Sequence, residues 1–200
     1  MANLQKTVLI IQASESQKAI WSAALTSQKI LVLQESTNAD LYQIINQTKD
    51  VKKLPDLLLI DIGVHYPNPY TFCRSCRGQD FNMKIILTTG EQHQVTSAES
   101  RWAIYQGAQD LLPGFQSETL LDEGIARVNR VLQVLGGLPL QREPLVPILL
   151  PMTSANAPQE TISHQVNNGV SETNKNILSP ESKTTSDNPT PTKRRGHSYR

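Results

Sequence analysis

The chain has 200 residues, a formal net charge of +1 and 38% hydrophobic content, enough for one ordinary domain with a remainder. That charge balance excludes an overall field recruiting nucleic acid or an anionic membrane, and the absence of a long apolar run excludes a bilayer-spanning helix. The start, Met1-Ala2-Asn3-Leu4-Gln5-Lys6, lacks the basic-then-apolar layout of a signal peptide, and two cysteines three apart give no disulfide framework. A cytoplasmic protein is the expectation.

Lys6 to Gln12 reads as a buried strand. Ser14-Glu15-Ser16-Gln17 has the spacing of a capping box, and Ile20, Trp21, Ala24 and Leu25 continue at helical spacing. Ile30 to Leu33 is a second strand; Asn38 can cap a helix carrying Leu41, Ile44 and Ile45 on one face. Pro55-Asp56-Leu57-Leu58-Leu59-Ile60-Asp61 is the run around which the chain is organised, a short buried strand closed by a carboxylate. Lys84 to Thr89 is a fourth strand broken by Gly90. A helix from Ala98 to Gln106 ends at Gly107, and Leu111-Leu112 is a short fifth strand. Ser117 caps a long helix with Leu120, Leu121, Ile125, Val128, Val131, Leu132 and Leu135 inward, stopped by Gly136-Gly137.

Strands alternating with helices predict an α/β fold, a flavodoxin-like doubly wound five-stranded parallel sheet, (β-α)5, over residues 1–137. Residues 138–151 are apolar but interrupted by Pro139, Pro144, Pro147 and Pro151, which predicts an extended segment rather than a helix. Residues 152–200 are rich in Ser, Thr, Asn and Pro and read as a disordered polar tail with a basic end.

Asp61 ends the central strand, where ligands of open parallel sheets collect. Cys73-Arg74-Ser75-Cys76 has redox or metal spacing, yet both thiols fall inside a helix, where free cysteine packs as a small hydrophobe. His65 and His93 read as solvated loop histidines, and with no second CxxC a zinc site is not expected. The basic end, Lys193, Arg194, Arg195 and Arg200, is the sole hint of nucleic acid, which is not an expected partner.

The order and spacing of the strand ending in Asp61, the helix start at Pro69-Tyr70, the run Ile85-Ile86-Leu87-Thr88-Thr89, and Gly107-Ala108-Gln109-Asp110-Leu111-Leu112-Pro113 resemble the receiver domain of bacterial two-component response regulators, of CheY-like fold. The resemblance covers about Lys6 to Leu135, and the Leu112-Pro113-Gly114-Phe115 ending is similar to cyanobacterial receivers. It implies Asp61 as the phosphoacceptor for a histidine kinase and Thr89 as the switch hydroxyl. The same resemblance exposes departures. Gln12 and Ala13 stand where the family carries an acidic pair holding Mg²⁺, Gly114 replaces the phosphate-pairing lysine, and Leu111 replaces the aromatic switch. Gly63 supplies at most a carbonyl, and Glu15 is the one nearby substitute, more at home on its helix N-terminus.

Phosphoryl transfer is catalysed by positioning and charge neutralisation, and losing one such donor typically costs about 100- to 1000-fold in rate. The expectation is therefore a pseudo-receiver, not an enzyme and without a cofactor, that binds a protein partner in signal transduction. In the alternative, Asp61 is phosphorylated in a genuine phosphorelay and Mg²⁺ is its cofactor. In this family the output surface is formed by the fourth helix, fifth strand and fifth helix, which makes Trp102, Tyr105 and Leu111 a candidate interaction surface. One member of the Trp102–Tyr105 pair is expected in the core.

Overall fold

The five apolar runs form the strands β1 (Thr7–Ile11), β2 (Leu31–Gln34), β3 (Leu57–Asp61), β4 (Lys84–Thr88) and β5 (Asp110–Leu112), all parallel in one sheet of order β2-β1-β3-β4-β5. A computed structural model describes residues 5–50, 54–79, 83–90 and 92–154, with the backbone alone for 49, 50 and 154. The expected tail beyond Ser154, with its basic end at Lys193, Arg194, Arg195 and Arg200, lies outside the described residues.

Side chains of a strand alternate between faces, and both faces of β1, β3 and β4 are covered, which is why these strands read as unbroken apolar runs. Val8, Ile10, Leu57, Leu59 and Ile86 point into one core layer with Trp21, Leu25, Val128, Val131 and Leu132. Leu9, Ile11, Leu58, Ile60, Ile85 and Leu87 point into the other with Leu41, Ile45, Phe72 and Ala103. The helices that supply these partners are α1 (Glu15–Ser27), α2 (Leu41–Asp50), α3 (Pro69–Arg77), α4 (Ser97–Gln106) and α5 (Leu120–Val134). This is the predicted flavodoxin-like winding.

Local signals set the helix ends. Asn68 accepts from the Tyr70 and Thr71 amides ahead of Pro69, and Thr96 and Glu99 form a reciprocal capping box on α4. Gly107 ends α4 at φ 112°, where a Cβ would meet the Cys73 carbonyl oxygen at 2.9 Å. Three expected caps differ. Ser14 precedes α1 without a side-chain cap bond. On α2 the cap is Asp40, accepting from Gln43, rather than Asn38. Ser117 opens a 3₁₀ turn, Ser117–Thr119, from which α5 continues.

Gln17 does something other than cap. It is buried, and its amide group donates to the Phe115 carbonyl at 2.9 Å while its oxygen accepts from the Phe115 amide at 2.8 Å. At the far end of α1, Gln28 holds the backbone of Gln141 in the same two-point manner, at 2.9 and 2.8 Å. The first clamp satisfies a buried peptide that no strand or helix reaches, and leaving such groups unpaired costs about 1–3 kcal/mol apiece; the second ties down the exposed backbone of Gln141 just before the next element.

The second clamp leads into the principal departure from expectation. The segment predicted to be extended over 138–151 becomes a sixth helix, α6 (Arg142–Ser154), packed on α1 and α5. Its residues Leu145 and Leu149, four apart, are fully buried, each worth about 1.5–3 kcal/mol in transfer from water. The prolines are tolerated because of where they fall. Pro144 lies in the first turn, where an amide has no acceptor to lose. Pro147 and Pro151 are exposed, so the carbonyls they leave unbonded, those of Glu143 and Pro147, lie on the solvent side and can be hydrated. The helix includes Met152, Thr153 and Ser154, which were expected to belong to the tail.

Candidate functional site

At the carboxyl ends of β1, β3 and β4 the chain leaves a cleft of about 590 Å³ lined by Ala13, Ser14, Asp61, Ile62, Gly63, Thr89 and Gly90. The parallel register aligns Asp61 with Thr88, so strand ends and following turns converge on one carboxylate. Asp61 is 2% exposed. Its Oδ1 accepts from the Gly63 amide at 2.8 Å, and its Oδ2 from the Ala13 amide at 3.4 Å. Gly90, at φ 60°, brings its backbone over the carboxylate, and a Cβ there would meet Asp61 Oδ2 at 3.0 Å. The strand-break reading of Gly90 missed this role; a small residue straight after a Thr-Thr strand end was the available signal.

Two threonines divide the chemistry beside Asp61. Thr89 lines the cleft, but its hydroxyl donates to the Gln92 carbonyl at 3.2 Å, toward the turn before α4. Thr88 points inward, and its hydroxyl donates to Gln12 Oε1 at 3.1 Å. Gln12 is 1% exposed and its Nε2 has no partner among the described residues, so it is a buried group beneath the cleft rather than part of its lining. Gly114 donates its amide to the Gln92 carbonyl and stands outside the lining as well.

The donor set can be compared with what a divalent cation requires. Mg²⁺ takes octahedral oxygen ligands, generally including one or two carboxylates. Among the described lining residues Asp61 is the single carboxylate, and no lysine or arginine lines the cleft. Glu15 turns away and pairs with Lys18. This set does not fit a hexacoordinate Mg²⁺. His65 is exposed beside Tyr66 in an adjoining depression with Ala13 and Gly63, and His93 lies apart, near Phe115 and Arg127.

The cysteines sit in the core layer under α3. Cys73 is fully buried; burial first, and the neighbouring Cys76 second, push its thiol up to about 12, leaving no nucleophilic thiolate at neutral pH. Burial raises Cys76 as well.

The candidate interaction surface is only partly as expected. Leu111 is 4% exposed and belongs to the core layer of Ile85 and Leu87, because α4 covers the side of β5 that it faces; it is removed from the surface. Trp102 and Tyr105 are both exposed, at 53% and 70%, and stack on each other at 5.9 Å, so neither enters the core. Arg74 bonds the Gln106 side chain and Arg77 the Tyr105 carbonyl, fixing α4 with Ala103 and Gln106 inward and the aromatic pair outward.

The winding, with its strand order and flanking helices, is the CheY-like, flavodoxin-like fold, and solved structures of response regulators share it. The chain is similar to a candidate response regulator from Chloroflexus aurantiacus J-10-fl, with 22% identity and a TM-score of 0.50 over 66% of this chain and 98% of that one. It is also similar to a chain of the CheX–CheY–BeF3–Mg²⁺ complex from Borrelia burgdorferi, with 17% identity and a TM-score of 0.50 over 64% and 88%. At such identities the likeness establishes the fold. No family model and no curated protein matches the chain.

Proposed function

We propose that this chain is a signal-transduction module of the two-component type, a pseudo-receiver that acts by protein–protein contact and not as an enzyme. The observation that carries this reading is the cleft itself. Asp61 keeps its place, but the described residues around it supply neither a second carboxylate for a metal nor a cation for a phosphoryl oxygen. A buried carboxylate held by two backbone amides serves as a structural anchor of the β3 end. The exposed Trp102–Tyr105 stack on α4 offers a rigid aromatic anchor of the kind that dominates interfaces. The partner is a signalling protein, and the Borrelia complex is a case in which a chain of this fold is seated on another protein. Among the described residues no helix is long and apolar enough to cross a membrane, and the cytoplasm is the proposed location.

Incubation with acetyl phosphate and Mg²⁺, followed by intact-mass measurement, tests this reading. The expected result is no mass gain beyond that of Asp61→Asn, with circular dichroism confirming that the variant is folded. A gain of one phosphoryl group that Asp61→Asn abolishes would establish the phosphorelay alternative.

A further inference from the structure

At the end of the sheet opposite the Asp61 cleft, beside the starts of β1 and β2, lies a second cavity of about 460 Å³. It exists because the chain continues past α5. Leu138, Pro139 and Gln141, from the linker between α5 and α6, line it together with Lys6, Lys29 and Ile30. The two sides are tied to each other, since the Gln28 side chain bonds the Gln141 backbone as donor and as acceptor. The cavity is therefore held open by the fold itself.

Its charge is one-sided. Among the described lining residues there are two lysines and no carboxylate. Lys6 is matched by Asp56 at 2.7 Å. Lys29 is exposed and makes no ion pair among the described residues. One unmatched cation thus stands beside the apolar groups of Ile30, Leu138 and Pro139.

Lys29 also occupies a place where lysine is the costlier choice. The Lys29 amide donates to the Thr26 carbonyl at 2.9 Å and the Ile30 amide to the Leu25 carbonyl at 3.3 Å, which is the left-handed termination of a helix, here α1. Glycine is the ordinary residue at such a turn, because it has no Cβ to clash. Lys29, at φ 61°, is the one non-glycine residue with a positive φ among the described residues, and the Gln5 side chain holds its carbonyl at 3.2 Å. Backbone kept in such a region against its preference clusters at binding sites. The strained residue and the unmatched cation are the same residue, and it lines the cavity.

We infer that this cavity binds a small amphiphilic monoanion, with its carboxylate on the Lys29 ammonium and its apolar body against Ile30, Leu138 and Pro139. A single unmatched cation suits a monoanion, whereas a phosphate dianion would keep an uncompensated charge. The volume of about 460 Å³ falls in the range of small-molecule sites. At roughly 30 Å³ per water-sized group it takes a ligand of about 15 non-hydrogen atoms.

Titration of the isotope-labelled full chain with naphthoate, followed by amide NMR shifts, is the test. Saturable shifts at Lys6, Lys29, Ile30, Leu138 and Gln141 are expected, with a dissociation constant below about 1 mM. Naphthamide keeps the body without the charge, and inorganic phosphate keeps a charge without the body; each should bind at least about tenfold more weakly. Lys29→Gly removes the cation and suits the turn, so the ligand-free thermal midpoint should hold or rise while naphthoate binding weakens at least about tenfold. Lys29→Arg should keep the affinity within about threefold. Absence of saturable shifts at these amides overturns the inference, as does a Lys29→Gly variant that binds naphthoate like the wild type. Equal affinity for naphthamide would remove the role of the charge, and equal affinity for phosphate would reduce Lys29 to a plain surface cation; either result overturns it too.

Discussion

The two faces of the sheet are finished differently. On the face of α1 and α5, a further helix lies across the groove, and Leu145 and Leu149 are sealed beneath it with Trp21, Phe115 and Val128. On the face of α2, α3 and α4 nothing among the described residues covers α4, and Trp102, Ile104 and Tyr105 stand exposed on it. One face has its apolar groups closed off within the chain and the other leaves a stacked aromatic pair in water. Large aromatic area in solvent is retained where something is to be bound. The contrast gives the first face a role in stability and leaves the second as the face to which the proposed function gives recognition.

The largest effect should come from the sealed face. Leu149→Ala removes a fully buried side chain from between α6 and α5, and a core truncation of this kind costs about 2–5 kcal/mol. A urea-denaturation midpoint measures it. If α6 were a loosely applied strap, the substitution would cost well under 1 kcal/mol, and the distinction between the faces would fail.

What the sequence could show follows from the same contrast. The sheet was legible because strands buried on both faces leave nothing but apolar runs, and Asp61 was legible because a carboxylate closing such a run has nowhere else to be. The sixth helix was not. Proline breaks a helix through a lost bond and a clash, and the sequence does not say that Pro147 and Pro151 sit on the wet side, opposite Leu145 and Leu149. Gln17 misled for a related reason. Its spacing from Ser14 suits a cap, but the unpaired peptide at Phe115, distant in sequence and adjacent in space, offers a buried amide two better bonds. Leu111 was assigned to the surface by resemblance; it is buried, as is Leu112 on the other side of β5, because both sides of this short strand are covered. Trp102 and Tyr105 were singled out, but that both lie outside escaped, because α4 carries apolar groups on both sides and helical spacing alone cannot decide which are inside.

A smaller effect sharpens how closely α6 is seated. Gly124 of α5 lies where a Cβ would meet Leu149 Cδ1 at 3.2 Å. In a helix interior, alanine is favoured over glycine by about 1 kcal/mol, and in the wild-type chain that gain is offset by the crowding. Gly124→Ala should therefore be close to neutral alone. In the Leu149→Ala background the obstruction is gone, and the same substitution should stabilise by about 1 kcal/mol. A double-mutant cycle of unfolding free energies reads the difference. Additivity would mean that α6 stands off from α5 by more than van der Waals contact.

The smallest expected effect on stability tests the other face and decides the most. Trp102→Ala and Tyr105→Ala remove large side chains, yet both lie in solvent, and exposed substitutions shift stability by about 0.5 kcal/mol or less. The stack between them adds little to that, because Arg74 and Arg77 already hold α4 from the α3 side. Truncation should thus leave the thermal midpoint nearly unchanged while weakening partner binding by about 30-fold or more, the loss typical of a central aromatic anchor. A cost of several kcal/mol in folding would place the pair in the core in solution. It would remove the reason for treating this face as the one that recognises.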